Sequence, residues 1–142
     1  MLRILFTVSI SWGYAWASSP RENVLYQFQG GTDGALPSGN LLADKGGNLY
    51  GTTSRGGLAS GLCQADEGCG TAFQLKPPGV PGGVWTEVVL YRFIDGSDGQ
   101  GPEGRLMLRN RSLLGTTVHG GGTCAFTFSC GTVFEVIRKR PE

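Results

Sequence analysis

The fold is decided by the stretch Val24-Leu25-Tyr26-Gln27-Phe28, because it returns as Val89-Leu90-Tyr91-Arg92-Phe93 at an offset of 65 residues (position 24 to position 89). The agreement continues after this stretch at the same offset. The matched positions are Gly31, Asp33, Gly34, Pro37, Gly39 and Leu41 in the first copy, and Gly96, Asp98, Gly99, Pro102, Gly104 and Leu106 in the second. So many identities in one order indicate an internal duplication.

The second half of each copy repeats as well, after small deletions between the copies. Leu49-Tyr50-Gly51-Thr52-Thr53 corresponds to Leu113-Leu114-Gly115-Thr116-Thr117. A final set of matches runs from Cys63, Cys69, Gly70, Thr71 and Phe73 to Cys124, Cys130, Gly131, Thr132 and Phe134. Copy one therefore spans 22–77 and copy two spans 87–138, with a linker loop rich in Pro and Gly at 78–86.

Each copy contains four short runs that are typical of β-strands. In copy one they are residues 24–28, 40–43, 49–53 and 71–76, and Gly, Pro, Asn or Asp bounds each run. Apolar and polar side chains alternate with period two in the first and last runs, as in half-buried strands. With 25 glycines in 142 residues, the chain is also rich in turns. The prediction is an all-β protein of two four-stranded antiparallel, blade-like repeats.

A single four-stranded sheet buries one face poorly, so repeats of this kind stack on their neighbours. Typical β-propellers have four to eight such blades, and this sequence carries two copies. The expected architecture is therefore a partial β-propeller or a small two-sheet stack. In the first case, a homo-oligomer that completes the propeller is one candidate assembly.

The first residues predict export. Arg3 precedes an apolar run at 4–10, and Ala15-Trp16-Ala17 matches a cleavage signal, so residues 1–17 are interpreted as a signal peptide. The alternative is a buried N-terminal strand. No second apolar run follows, so we expect no membrane span in the mature chain and a secreted, periplasmic or extracellular location. The net charge of +1 offers no argument for a nucleic-acid partner.

The four cysteines are predicted to form structural disulfides. Cys63 pairs most simply with Cys69, and Cys124 with Cys130, although pairing across the copies also remains open. A zinc site made by all four is the sharper alternative. Five residues separate the cysteines of each pair, whereas paired zinc ligands favour two to four. An exported chain also favours disulfides.

The remaining candidates are loop residues. Asp33, and Asp95 with Asp98 in the second copy, lie among glycines, where Asp caps turns and where calcium is the alternative. His119 is the only histidine and Arg55 replaces it in copy one, so we interpret it as incidental. No catalytic residue, metal or cofactor is predicted.

Three aromatic residues that do not repeat are the candidate ligand contacts: Trp85, Phe126 and Phe128. Aromatic side chains in loops are suited to stacking on sugar rings. They are the basis of the hypothesis that the protein binds carbohydrate.

The string from Gly46 to Thr53, followed by Gly56-Gly57, resembles the GloVer tandem repeat, as does Gly131-Thr132-Val133-Phe134. The resemblance implies export, many tandem copies and a β-propeller, and it implies no catalytic residues. Copy two departs from it at Arg109-Asn110-Arg111-Ser112, where copy one has a Gly-rich turn. This departure indicates a degenerate turn or different demands on it.

The expected function is that of an exported, non-catalytic repeat protein, an interaction module of the cell envelope or the extracellular space. Its expected partner is an envelope protein or a glycan. The alternatives are a carbohydrate-binding, lectin-like propeller fragment and, third, a polysaccharide-active enzyme.

Overall fold

A computed structural model describes residues 20–57, 63, 67–122 and 130–138. Within these residues every regular element is a β-strand, which confirms the all-β prediction. The strands are β1 (Ala35–Ala43), β2 (Leu49–Arg55), β3 (Thr71–Lys76), β4 (Thr86–Arg92), β5 (Gln100–Arg109), β6 (Ser112–His119) and β7 (Val133–Ile137).

The strands form two antiparallel sheets. Sheet A has four strands in the order β1-β2-β3-β4, and sheet B has three in the order β5-β6-β7. Corresponding pairs use corresponding residues: Thr53 lies opposite Thr71 in sheet A, and Gly51 opposite Phe73, just as Gly115 lies opposite Phe134 in sheet B. The duplication in the sequence is thus a duplication of strand register.

The predicted strand at residues 24–28 is wrong, and with it the prediction of two four-stranded repeats. Residues 24–28 belong to no strand, whereas their copy-two counterpart lies in β4 and at Phe93 just after it. β4 pairs with β3, which is a strand of the first copy. The fourth strand of sheet A therefore comes from the start of the second copy, and the sequence repeat is out of phase with the sheet by one strand.

The two sheets contact each other through β1 and β2 of sheet A and β5 of sheet B. Gly39 of β1 approaches Gly104 of β5 so closely that a Cβ on Gly39 would lie 2.0 Å from the Gly104 carbonyl oxygen. Ser38 Oγ donates a hydrogen bond to the Pro102 carbonyl oxygen across the same junction, at 2.8 Å. The core between the sheets consists of buried residues from both: Tyr50, Cys63, Cys69, Ala72, Phe93, Leu106, Leu113 and Val136.

A second contact between the sheets involves Arg138, the residue after β7. Its guanidinium lies 4.9 Å from the centre of the Tyr50 ring, donates a hydrogen bond to the Tyr50 hydroxyl, and lies 3.6 Å from the carboxylate of Asp44. Tyr50 and Asp44 belong to sheet A and its first turn. One cation of copy two is therefore held by an aromatic ring and an acid of copy one.

The turns between the first two strands of each sheet explain the sequence departure in copy two. In copy one, Asp44 organises a longer turn: its carboxylate accepts hydrogen bonds from Gly46 N, Asn48 N and the Tyr50 hydroxyl. In copy two, Arg109 pairs directly with Ser112, and Asn110 has φ 55°, so two residues make the turn. Asn is among the few residues that adopt this left-handed conformation readily.

Candidate interaction surface

Among the described residues, the outer edge of sheet B is formed by β7, which has a hydrogen-bonded neighbour strand on one side. Two large apolar side chains on it are exposed: Val133 by 80% and Ile137 by 71%. An edge strand offers backbone N–H and C=O groups to another chain. The edge of β7 is therefore the candidate interaction surface.

The corresponding edge in sheet A is covered. β3 is the counterpart of β7, and β4 pairs along it from Thr71↔Arg92 to Lys76↔Thr86. Ala72, the counterpart of Val133, is fully buried. At this edge sheet A thus has a fourth strand, and sheet B has none among the described residues.

Residues 24–28, the counterpart of that fourth strand, are held by an aspartate. The Asp33 carboxylate accepts hydrogen bonds from the Tyr26 hydroxyl at 3.0 Å and from Gln29 N at 2.9 Å. Partial burial and this hydrogen bond to Asp33 raise the pKa of Tyr26 to about 12. The predicted turn-capping role of Asp33 is confirmed.

The second copy repeats this arrangement. Asp98 accepts hydrogen bonds from the Tyr91 hydroxyl at 2.7 Å and from Ile94 N at 2.9 Å. The hydrogen bond to Asp98, with partial burial, raises the pKa of Tyr91 to about 12. In the second copy the corresponding tyrosine belongs to the paired strand β4, so the same hydrogen bonds occur with and without strand pairing.

The aromatic side chains of both copies pack alike. Phe93 follows β4 and lies edge-on to Phe134 of sheet B, with ring centres 4.9 Å apart. Phe28 lies edge-on to Phe73 of sheet A at 5.0 Å. Phe93 thus leads the chain from the outer strand of sheet A onto sheet B, and Phe28 leads it onto sheet A from a side that has no sheet among the described residues.

The first disulfide lies at the junction of the two sheets. Cys63 and Cys69 are bonded, with Cα atoms 5.1 Å apart, and both are fully buried, which confirms the predicted pairing. The Cys69 carbonyl accepts a hydrogen bond from Gly101 N, the second residue of β5. Cys130 is also disulfide-bonded and is exposed, and its predicted partner Cys124 lies outside the described residues.

Of the three predicted ligand contacts, one lies in the described part of the chain. Trp85 is half-buried and directly precedes β4, and Phe126 and Phe128 lie outside the described residues. His119 ends β6 and is exposed.

One buried carboxylate oxygen in the described part of the chain lacks a hydrogen-bond donor. The Oε1 atom of Glu87, on β4, is buried and accepts no hydrogen bond within the described residues. Burial, followed by the nearby Asp33 carboxylate, raises the pKa of Glu87 to about 7, while Arg92 opposes the shift. Sequence reasoning missed this residue, because its burial depends on the out-of-phase position of β4.

Among the described residues, no cluster of three or more His, Cys, Asp or Glu side chains is placed to hold a metal ion. The described ranges also hold no helix with the length and apolar character needed to cross a membrane.

Sequence reasoning also missed the open edge of β7. The available signal is that the Val-Leu-Tyr-x-Phe run stands at the start of each copy, so the strand that it forms can pair with the copy before it.

Comparisons with protein-family models, with curated proteins and with solved structures found no match to this chain.

Proposed function

We propose that the protein is an exported, non-catalytic interaction module that binds a protein partner through the open edge of sheet B. The observation that carries the proposal is the apolar edge strand β7, with Val133 and Ile137 exposed. Addition of a strand to such an edge supplies main-chain hydrogen bonds, and alternate side chains supply specificity. The proposed location is the cell envelope or the extracellular space.

Two further observations support the proposal. Two tyrosines with raised pKa values are engaged in internal hydrogen bonds: Tyr26 with Asp33 and Tyr91 with Asp98. These side chains stabilise turns that recur in both copies, which is a scaffold role. The resemblance to the GloVer repeat implies export and tandem copies as well, and the buried Cys63–Cys69 disulfide suits an oxidising compartment.

The test compares edge variants in a capture experiment. Immobilised wild-type chain, Val133→Lys and Ile137→Lys are each exposed to an extract of the cell envelope of the source organism. Lysine on an edge strand opposes strand addition, so both variants are expected to lose the proteins that the wild type retains. Val84→Lys is the matched control, since Val84 is 85% exposed in the loop before β4.

Equal retention by the wild type and the edge variants would contradict the proposal. Binding to a glycan array that is lost in Trp85→Ala but kept in Val133→Lys would instead favour the carbohydrate-binding function.

A further inference from the structure

The candidate partner of the β7 edge is a segment of the same sequence. We propose that β7 binds residues 21–27 of a second copy of this protein as a fourth antiparallel strand, so that copies associate head to tail. This inference rests on the proposed function, because it names the partner of the same edge. Its template is the junction between sheets A and B within one chain.

The first argument is sequence equivalence at the edge. β7 corresponds to β3. The strand that pairs with β3 is β4, which contains the start of the Val-Leu-Tyr-x-Phe run of copy two. Residues 24–28 carry the same run and pair with no strand in the described part of their own chain. Transferring the β3–β4 register puts Val24 of the second copy opposite Phe134, and Asn23 of the second copy opposite Glu135.

The second argument is that the two outer faces of the molecule are exposed where their counterparts are buried. We call the side of sheet A that carries Leu36 and Leu41 the head face. Leu41 is 57% exposed there, whereas its counterpart Leu106 is 3% exposed at the junction with sheet A. Val24, also at this end of the chain, is 70% exposed.

The opposite end of the molecule shows the same contrast. We call the side of sheet B that carries Leu114, Thr116 and Val133 the tail face. Thr116 is exposed there, whereas its counterpart Thr52 is buried by sheet B. A head face placed on a tail face would reproduce the packing that already joins the two sheets of one chain.

The third argument is that β1, at the head face, already has the backbone conformation that β5 has at the junction between the two sheets. Gly101, which enters sheet B with φ 60°, has Leu36 as its counterpart, and Leu36 has φ 52°. A leucine adopts this left-handed conformation at a cost that glycine avoids. Phe93 N donates a hydrogen bond to the Gly70 carbonyl, so Phe28 N of the second copy is expected to bond the carbonyl of Gly131.

The charges at the new junction are compatible. Within one chain, Arg138 contacts Asp44 and Tyr50 across the sheets. At the junction between copies, the counterparts of these three residues are Pro77, Arg109 and Leu114. An apolar Pro–Leu contact takes the place of the Arg–Tyr contact, and no second cation faces Arg109.

The first experiment measures the mass of the full chain by sedimentation velocity over rising concentration. The wild type is expected to form a discrete species larger than the 15.0 kDa chain. Val24→Pro, which removes a ladder N–H from the head, and Val133→Lys on the tail should each weaken association at least tenfold. Val84→Lys is again the control and should associate like the wild type.

Mixing the two defective variants distinguishes head-to-tail association from a symmetric contact. Val24→Pro keeps a working tail and Val133→Lys keeps a working head, so the mixture should form a one-to-one heterodimer and nothing larger. A mixture that stays monomeric while the wild type associates would overturn the proposal. A monomeric wild type would also overturn it, while leaving edge-dependent capture of an envelope protein intact.

A cross-linking experiment tests the register. Asn23→Cys and Glu135→Cys are purified separately, mixed and oxidised, because their counterparts Val88 and Gln74 are directly paired. An intermolecular disulfide is expected for this mixture and not for Asn23→Cys with Val84→Cys. Equal cross-linking in both mixtures would overturn the predicted register and, with it, the strand addition.

Discussion

At the scale of single residues, the two copies use the same side chains for the same task. Asp33 and Asp98 each accept two hydrogen bonds through the carboxylate. One comes from the backbone N–H four positions earlier and the other from the tyrosine hydroxyl seven positions earlier. Hydrogen bonds to charged acceptors stabilise a fold more than neutral ones do. These groups can therefore be tested one residue at a time.

Replacing the aspartate should change the titration of its tyrosine. In Asp98→Asn, the negative charge that favours the neutral phenol is lost, so the pKa of Tyr91 should fall from about 12 towards its ordinary value of 10.0. Absorbance of phenolate against pH measures this shift. Asp95→Asn in the same loop is the control, and an identical titration in both variants would show that Asp98 does not act on Tyr91.

Glu87 should make stability depend on pH. Unfolded, this carboxyl loses its proton near 4.5, whereas in the fold its pKa is about 7. Between these values the folded state holds more protons, so the free energy of unfolding falls as pH rises from about 4.5 to about 7. Glu87→Gln removes this loss.

Thermal unfolding of the wild type and Glu87→Gln across this range measures the effect. The two are expected to unfold together at the acid end, and the variant is expected to be the more stable at the alkaline end. Glu103→Gln, at an exposed position of β5, is the matched control. A constant difference across the range would contradict the role of Glu87.

At the scale of elements, each sheet has a glycine under an aromatic ring. A Cβ on Gly51 would lie 2.5 Å from Cζ of Phe73, and one on Gly115 would lie 2.5 Å from Cζ of Phe134. Neither glycine has a positive φ, so the requirement is for space and not for backbone conformation. In each sheet the phenylalanine belongs to the strand next to the glycine, and its ring fills the space above the glycine.

Gly51→Ala and Gly115→Ala should each lower the free energy of unfolding by about 1–3 kcal/mol, because overpacking displaces a packed aromatic ring. Denaturant unfolding measures the loss. Gly79→Ala is the control, since a Cβ there meets no atom within 4 Å. A loss in the control as large as that in the two strand variants would contradict the steric explanation.

The strands themselves show what sequence alone could predict. Residues 49–53 and 71–76 are predicted as strands and lie in β2 and β3, because Gly, Asn and Pro bound them and apolar side chains occur within them. β1 begins at Ala35, five residues before the prediction, since the irregular pairing between Ser38 and Leu42 absorbs a glycine that reads as a break. Periodicity reports which face a residue takes and not which strand it pairs with.

The surface was harder to predict than the strands for the same reason. The run Val-Leu-Tyr-x-Phe reads as a strand in both copies, but only a partner edge turns it into one. β4 has that partner in β3, and residues 24–28 have none among the described residues. The buried carboxyl of Glu87 and the exposed edge of β7 both follow from a pairing that lies across the repeat boundary.

At the scale of the whole molecule, stability depends on the junction between sheets A and B. The buried Cys63–Cys69 disulfide, the Arg138–Tyr50 contact and the close approach of Gly39 to Gly104 all lie there. Each of these connects residues of copy one to residues of copy two or lies between them. The two sheets are therefore expected to unfold together.

The disulfides test this expectation as a matched pair. With Cys124 paired to Cys130 as predicted, both closed loops have the same length, so the entropy that each removes from the unfolded chain is equal, at about 2 kcal/mol. Cys63→Ser with Cys69→Ser should cost more than this, because two buried positions become polar.

Cys124→Ser with Cys130→Ser should cost close to the entropic value, because Cys130 is exposed. Thermal unfolding of both double variants measures the difference. Equal losses of stability would contradict a special contribution of the first disulfide to the junction.

The one-strand offset between repeat and sheet has a consequence for how such chains grow and shorten. If a gene gains or loses one copy, every internal sheet still receives its last strand from the copy that follows, so the covalent chain itself fastens each unit to the next. No single copy, cut at its own boundaries, contains a complete sheet. The duplicated sequence copy and the folded sheet are therefore different pieces of the same chain. Selection that keeps whole copies also keeps each sheet in contact with the next.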